Sequence, residues 1–365
     1  MTSPSWIRFI IAVFAGTLFV WAVLALWIIA APLTILTRGD ATLLAKDDLI
    51  ERCPATEIAV FGDSRAEAGI DPRLIGVPTA NFAHGNGLVA EDYYRVARLL
   101  KCGGKPRLVI LSYNLTEYTR INPLGFWHGT VIAHLLTLVE RDEILRRIEE
   151  SNRDDAFRQF PDEAALDYGR IPPRVKNLLY EIYFPPLYSA PALHSLESGI
   201  VFRYQDNMRV YDATSGNHGR SEYHPMPRDF GRPARDAWLW SGTPDPVIDH
   251  YLREILSLLL RESIPAMMLF APVNETTYSA ISKPAREQLL GYLAGLRTEF
   301  PNLVLADTDL PRWPDEYFGD VDLHLNARGV AIVAGILSRC VRAASGPAEY
   351  SSCGLAVPRT ADRVE

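Results

Sequence analysis

The first forty residues contain the longest apolar run of the chain. No charged residue occurs from Phe9 to Thr37, and about 20 apolar residues suffice to cross the core of a bilayer. We therefore predict a single transmembrane anchor over residues 9–36. Two other interpretations stay open: a signal peptide cleaved near Ala30-Ala31, and the buried helix of a soluble domain.

The anchor divides the chain into segments with different expected roles. An N-terminal anchor ahead of a large domain usually leaves that domain outside the cell membrane, so the short N-terminus is expected in the cytoplasm. The predicted segments are a cytoplasmic N-terminus (1–8), the anchor (9–36), a polar linker (37–55), a main domain (56–345) with a large insertion at about 120–245, and a loose tail (346–365).

After the anchor, short apolar runs alternate with stretches in which apolar residues recur at helical spacing. Strands buried on both faces read as continuous apolar runs, and the helices that cover them show one apolar face. Strands are predicted at 58–61, 108–111, 267–270 and 303–305, and helices at 90–100, 248–259, 284–299 and 326–341. The alternation predicts an α/β fold whose parallel sheet is covered on both faces.

This rhythm is lost in the predicted insertion, which is rich in proline, aromatic and charged residues. A helix is predicted there at 131–150, with a charged, solvated face. Trp238 and Trp240 are candidates for stacking on sugar rings, and packing inside the insertion is the alternative role for both.

Composition narrows the class of protein. The 365 residues carry 37 Lys and Arg against 44 Asp and Glu, a formal net charge of −7, without a basic stripe. Nucleic-acid binding is therefore not expected. The chain has no G-x-x-x-x-G-K-[ST] or G-x-G-x-x-G loop and no C-x-x-C pair, so neither a nucleotide cofactor nor a metal is predicted.

The four cysteines form two candidate pairs. Cys53 and Cys102 each precede a predicted strand, so neighbouring parallel strands would place both at one edge of the sheet. Cys353 lies thirteen residues after Cys340 and can loop back to it. Two disulfides would suit an oxidising compartment, and four separate buried thiols are the alternative.

A serine and a histidine follow the first and last predicted strands. Ser64 lies in the turn after the first strand, at the sheet edge where open α/β folds bind ligands. His324 follows the last strand and is a candidate base for the Ser64 hydroxyl, with Asp322, two residues earlier in an extended loop, as its orienting carboxylate. By themselves, Asp63 and Ser64 are more typical of a helix cap than of a catalytic site. The alternative for His324 is a polar residue at a helix start, with Asn326 as the cap.

Two further residues occur in an order that suits the same chemistry. The backbone N–H of Gly85 and the side-chain amide of Asn114 are candidate donors to a reacting oxygen, together with the N–H of Ser64. Taken singly, Gly85 and Asn114 are ordinary turn residues.

The order Ser64, Gly85, Asn114, Asp-x-His324 resembles the SGNH (GDSL-type) hydrolase superfamily over about 56–120 and 246–342. The resemblance implies a flavodoxin-like sheet, Ser64 as nucleophile, Gly85 and Asn114 as oxyanion donors, and His324 as base. Many members carry the aspartate three residues before the histidine, where this chain has Val321. Asp322 is similar to the arrangement in alginate O-acetylation proteins, and Asp320 is the fallback.

The resemblance implies acyl transfer at the membrane. The anchored topology is similar to alginate O-acetylation and lipoteichoic acid D-alanyl-transfer proteins, which work beside a multi-pass membrane acyltransferase. We expect an O-acyltransferase of a cell-envelope or exported polysaccharide, single-pass in the inner membrane, with its catalytic domain facing the periplasm. A carbohydrate esterase of the same mechanism and a non-catalytic subunit of an envelope assembly are the alternatives.

Overall fold

A computed structural model describes most of the chain. The described residues are 5–119, 121, 126, 135–151, 174–175, 177–178, 193–221, 230–234, 243–344 and 346–355.

The centre of the protein is a parallel sheet of five strands. The strands described are β1 (Ile58–Gly62), β2 (Thr79–Asn81), β3 (Leu108–Ser112), β4 (Ala266–Met268), β5 (Val273–Asn274), β6 (Leu303–Leu305) and β7 (Arg312–Trp313). The main sheet has the order β2-β1-β3-β4-β6, and β5 pairs with β7 in a small separate ladder. Every residue of β1 and β3 is buried, as expected for central strands covered on both faces.

Helices alternate with these strands. They are α1 (Ser5–Ala30), α2 (Arg38–Glu51), α3 (Ser64–Gly69), α4 (Pro72–Ile75), α5 (Val89–Lys101), α6 (Thr116–Thr119), α7 (Leu138–Glu150), α8 (Ile200–Gly216), α9 (Pro246–Arg261), α10 (Glu275–Ala280), α11 (Lys283–Glu299) and α12 (Ala327–Ala343). Helix α5 contacts α2 and α9, and α12 contacts α3 and α4. The chain is therefore an α/β protein with a parallel sheet, as predicted.

The predicted core elements are confirmed, with ends that shift by a few residues. The strand predicted at 267–270 is three residues long and ends at Met268. The helix predicted at 131–150 is described from Leu138, where the Thr137 side chain caps it by accepting from the Glu140 N–H. Residues 131–134 lie outside the described part. The sequence analysis missed β2, whose three residues are too few to show a pattern.

The polar linker predicted at 37–55 is wrong, because most of it is helix α2. Thr37 and Asp40 form a capping box at its start, which is a strong local signal for a helix. Six of its fourteen residues are buried, including Lys46, which is fully buried. The segment is polar in composition because charged residues such as Lys46 and Arg38 pair with other parts of the fold. Composition alone cannot distinguish such residues from solvent-exposed ones, so it gave the wrong prediction.

The loose tail predicted at 346–365 is wrong for its first ten residues. A 3-10 helix, Pro347–Cys353, packs on β6 and α12. Cys340 and Cys353 form a disulfide there, and Cys53 and Cys102 form the other, with Cα–Cα distances of 5.3 Å and 5.7 Å. Both predicted pairings are confirmed. Residues 356–365 lie outside the described part.

The apolar N-terminal run forms helix α1. Its segment Ser5–Trp27 is long and apolar enough to cross a membrane, and only 6% of its most apolar window is buried by the rest of the protein. A core helix would be mostly buried, so this exposure argues against the interpretation of this run as the buried helix of a soluble domain. The helix ends at Ala30, and Pro32–Thr34 form a 3-10 turn, so the apolar segment is not one continuous helix to residue 36.

The packed C-terminal segment depends on a buried carboxylate. Asp307 accepts hydrogen bonds from the backbone N–H groups of Leu355 (2.7 Å) and Phe270 (3.4 Å). Burial raises the pKa of Asp307 from 3.8 to about 7. Between these two values the folded state binds more protons than the unfolded state, so this group makes the protein less stable as pH rises.

Replacing Asp307 by Asn should remove that pH dependence. We expect the unfolding free energy of the wild type, relative to Asp307→Asn, to fall by roughly 2–4 kcal/mol between pH 4 and pH 8. Denaturant unfolding of the full chain in detergent measures it, with Asp309→Asn as the control at a more exposed carboxylate. Parallel pH profiles for the wild type and Asp307→Asn would contradict the prediction.

Candidate active site

The chain order of the sheet creates a crevice at the carboxyl ends of β1 and β3. From β1 the chain passes to β2 on one side and then to β3 on the other, so the connections leave in opposite directions. Such a point in an open α/β sheet is where ligands bind. Ser64 follows β1 and Asn114 follows β3, so the topology brings both to this crevice.

Gly62 and Asp63 hold the two strand ends together. A Cβ on Gly62 would lie 1.8 Å from the Ser112 carbonyl oxygen, and Gly62 has a φ of +150°, so only glycine fits this turn. The Asp63 carboxylate accepts from the N–H of Arg65 (2.9 Å), which caps α3, and from the N–H of Asn114 (2.6 Å). One buried carboxylate therefore fixes both the helix that begins at Ser64 and the loop after β3.

The Ser64 hydroxyl contacts the predicted base. Its Oγ lies 2.9 Å from Nε2 of His324, although 260 residues separate the two in sequence. Ser64 is half-buried within an otherwise buried stretch, and His324 is buried. The hydroxyl is therefore both reachable from solvent and in contact with a group that can remove its proton.

Asp320, the fallback, is the carboxylate that contacts His324, and the preference for Asp322 is wrong. The Asp320 carboxylate lies 2.7 Å from Nδ1 of His324 and also accepts from the His324 backbone N–H at 3.1 Å. Asp322 is exposed. The prediction assumed an extended loop, but Leu323 has a left-handed φ of 66° and its N–H donates to the Asp320 carbonyl. This turn directs Asp320, four residues before the histidine, to the ring.

Neighbouring residues hold this turn in place. The Gly319 N–H donates to the His324 carbonyl at 2.7 Å, which closes the loop. Asn326 caps α12 and donates its side-chain amide to the carbonyls of Glu316 and Phe318. Arg65, next to Ser64, donates to the Asp322 carbonyl at 3.0 Å. The helix that begins at Ser64 is thus tied to the loop that carries His324.

The Asp320 carboxylate is stabilised in its charged form. Burial by itself raises the pKa of this group, but the hydrogen bonds and charge of His324 outweigh it and hold the pKa below its usual value. An ionised Asp320 keeps the proton of the imidazole on Nδ1, which leaves Nε2 free to accept from the Ser64 hydroxyl.

In the described part of the chain, no partner takes the three predicted oxyanion donors, which are the backbone N–H groups of Ser64 and Gly85 and the side-chain amide of Asn114. The cap of α3 uses the N–H groups of Arg65 and Ala66, not that of Ser64. The Asn114 side-chain oxygen accepts from Thr116, so its amide nitrogen stays available. Gly85 follows His84, whose N–H donates to the Gly62 carbonyl. All three donors therefore sit on segments attached to the Gly62-Asp63 turn.

A buried ion pair, which was not predicted from the sequence, lies next to the segments that carry Ser64 and Gly85. Lys46 of α2 donates to the Glu67 carboxylate of α3 at 2.5 Å and to the Ala83 carbonyl, which lies two residues before Gly85. Burial lowers the pKa of Lys46. A fully buried lysine is rare unless it is paired. Lys46 thus links helix α2 to the segments that carry Ser64 and Gly85.

Helix α5 adds a second group of buried charges on the same side. Arg95 donates to the Asp92 carboxylate (3.1 Å) and to the Phe82 carbonyl (2.8 Å), and the Tyr113 hydroxyl donates to Asp92 at 2.6 Å. Phe82 precedes Gly85, and Tyr113 precedes Asn114. This group of charges therefore holds the two loops that Lys46 and Asp63 also contact.

Trp238 and Trp240, the predicted sugar-stacking residues, lie outside the described residues. Within the described ranges, no cluster of three or more His, Cys, Asp or Glu side chains is arranged to hold a metal ion. The chain matches no protein-family model and no curated protein sequence.

Replacing Asp320 should impair the reactivity of Ser64 far more than replacing Asp322. We expect Asp320→Asn to slow labelling of Ser64 by a fluorophosphonate about 10³–10⁴-fold, because the imidazole loses the carboxylate that fixes its tautomer. Asp322→Asn is the matched control and should stay within about threefold of the wild type, since Asp322 contacts Arg65 and Asp320 through its backbone, which the substitution keeps. Equal losses in the two variants would contradict the geometry described above.

Replacing Lys46 alone should destabilise the fold, because the buried Glu67 carboxylate would lose the positive charge that lies against it. We expect Lys46→Met to cost about 3–5 kcal/mol, and Lys46→Met with Glu67→Leu to recover most of that loss. Denaturant unfolding of the full chain measures both, with Lys101→Met as an exposed control. A single variant as stable as the wild type would show that the pair does not hold the two helices together.

Proposed function

We propose that this protein is a membrane-anchored serine acyl-transfer enzyme of the SGNH type. The observation that carries the proposal is the continuous chain of hydrogen bonds from Asp320 through His324 to the Ser64 hydroxyl. A half-buried hydroxyl, an imidazole and a buried carboxylate in this order are the parts of a catalytic triad. A non-catalytic role is disfavoured, because His324 faces Ser64 and does not turn away from it.

The strand order supports the finer assignment of the fold. Within the main sheet the five strands occur in the order 2-1-3-4-5 when numbered along the chain, which is the order of flavodoxin-like doubly wound folds. The residues that match the superfamily motifs follow the first three strands in turn (Ser64, Gly85 and Asn114), and His324 precedes α12, which supports the proposal. The described helices α7 and α8 belong to the insertion between β3 and α9.

The first half of the proposed reaction makes an acyl-enzyme. The Ser64 Oγ attacks the carbonyl carbon of an acyl ester while Nε2 of His324 takes the hydroxyl proton. Negative charge that develops on the carbonyl oxygen is stabilised by the N–H groups of Ser64 and Gly85 and the amide of Asn114. The tetrahedral intermediate collapses, His324 returns the proton to the leaving alcohol, and Ser64 keeps the acyl group.

In the second half a new acceptor removes the acyl group. A sugar hydroxyl loses its proton to His324 and attacks the carbonyl carbon of the acyl-serine. The bond to the Ser64 Oγ breaks, His324 returns the proton to that oxygen, and the products are an O-acylated polysaccharide and free Ser64. Water in the same position would make the protein a carbohydrate esterase. We favour transfer because of the resemblance to membrane-tethered acylation proteins, several of which act beside a multi-pass membrane acyltransferase.

The proposed location is the inner membrane, with the catalytic domain in the periplasm. Helix α1 is long and apolar enough to be the anchor. The two disulfides lie in the domain that follows, and disulfides persist in oxidising compartments. An extracytoplasmic domain would meet the envelope or exported polysaccharide that we propose as acceptor.

The activity test uses an activated acetyl ester with the full chain in detergent. We expect Ser64→Ala to lower acetate release by at least about a thousandfold, because alanine has no hydroxyl that could attack the ester. Ser282→Ala, which replaces an exposed helix-capping serine, is the matched control and should retain activity. Release from the wild type that is no faster than from Ser64→Ala, with both proteins folded, would overturn the proposal.

Adding oligosaccharide acceptors then separates transfer from hydrolysis. Acetylated oligosaccharide formed at the expense of free acetate supports the transferase. Undiminished release of acetate, without an acetylated product, indicates the esterase.

A further inference from the structure

A cluster of large apolar side chains is exposed near the start of helix α8. The cluster, called here the 193–204 patch, consists of Leu193, Leu196, Ile200, Val201, Phe202 and Tyr204, which are between 38% and 68% exposed. Single exposed apolar residues are common on soluble proteins, but clusters of this kind mark surfaces that bind a protein or a membrane.

The 193–204 patch is attached to the end of the membrane helix. The Trp27 indole, at the end of the apolar span, donates to the Thr34 hydroxyl at 2.8 Å. The Thr34 carbonyl accepts from the hydroxyl of Ser195. Ser195 is fully buried and lies between Leu193 and Leu196 of the patch in the sequence. Two hydrogen bonds that meet at Thr34 therefore connect the end of α1 to the patch.

Helix α8 is also bound to the turn that follows α1. Asn207 donates to the carbonyls of Leu33 and Leu36, both at 2.7 Å, and Arg203 donates to the Leu36 carbonyl at 3.0 Å. Asp206 forms a bidentate ion pair with Arg38, with both distances 2.7 Å. The start of α8 is thus fixed beside the point where the chain leaves the membrane helix.

The exposed surface of α8 changes character along its length. Its first part exposes patch residues, whereas the exposed residues farther on include Gln205, Arg209 and Asp212 and no large apolar side chain. The far end reaches the sheet, where the Asn81 N–H donates to the His218 carbonyl at 2.8 Å. The helix is therefore apolar near the end of α1 and polar toward the catalytic domain.

We propose that the 193–204 patch lies in the interfacial region of the lipid bilayer and forms a second membrane contact. The inference rests on the membrane anchoring in the proposed function. Lipid is favoured over a protein partner for two reasons. The patch adjoins the end of the spanning helix, and the exposed side chains of α8 become polar within a few residues of the patch. With Arg38 and Arg203 beside it, the surface combines apolar and cationic groups, as interfacial helices do.

This contact would give the catalytic domain a fixed orientation. A single helix followed by a flexible linker would leave the domain free to tumble, but α2 is buried in the domain and the turn at 31–36 is bound to α8. Two membrane contacts joined by these hydrogen bonds hold the crevice at Ser64 at a set height and angle above the bilayer.

The test places nitroxide labels on the full chain in lipid nanodiscs that hold one copy of the protein. The labelled variants are Val201→Cys in the patch, Ala213→Cys on the polar part of α8, and Leu18→Cys near the middle of α1. The native cysteines are paired in disulfides and do not take the label. Collisions with oxygen and with a water-soluble nickel complex measure the depth of each label.

We expect the label at position 201 to favour oxygen over nickel, at a depth of about 5–10 Å below the lipid headgroups, and the label at 213 to favour nickel. A label at 201 that is as accessible to nickel as the label at 213 overturns the inference. A label at 201 shielded from both reagents also overturns it and indicates a protein contact. A label at 18 outside the hydrocarbon core would instead overturn the anchoring itself.

Discussion

The Asp63 carboxylate is the interaction on which the candidate site depends. It is buried, it caps the helix that begins at Ser64, and it accepts from the backbone of Asn114 on the neighbouring strand end. The adjacent Gly62 allows the two strands to approach more closely than any side chain would permit. Without this turn the proposed nucleophile and oxyanion donors would belong to three independent loops, and the proposed catalysis needs them in one fixed arrangement.

Buried charges extend this arrangement away from the sheet. Lys46 reaches from α2 to α3 and to the segment before Gly85, and Arg95 with Asp92 holds the segments before Gly85 and Asn114. Buried pairs contribute little net stability compared with apolar side chains of similar size, but breaking one is costly. Their effect is therefore to specify one geometry for the site.

The same helix α2 relates the site to the membrane. It begins at the turn after α1, where α8 binds the backbone of Leu33 and Leu36, and its second half packs into the α/β domain. The proposed acyl transfer and the proposed second membrane contact thus share one rigid connection. An enzyme that receives acyl groups at a membrane and passes them to a polymer benefits from such a fixed height, because both substrates approach from defined directions.

The sequence by itself determined the α/β alternation, the apolar N-terminal helix, the cysteine pairs and the candidate residues Ser64, Gly85, Asn114 and His324, because these depend on local patterns and on chain order. Only the tertiary structure decided that Asp320 contacts His324. The left-handed turn at Leu323 could not be predicted, because residues other than glycine rarely adopt a positive φ. The tertiary structure also decided that residues 38–51 and 346–355 pack on the core. The charged and small residues of these segments are typical of solvent-exposed chain. The fold places them against partners that are distant in sequence, such as Glu67 and Asp307.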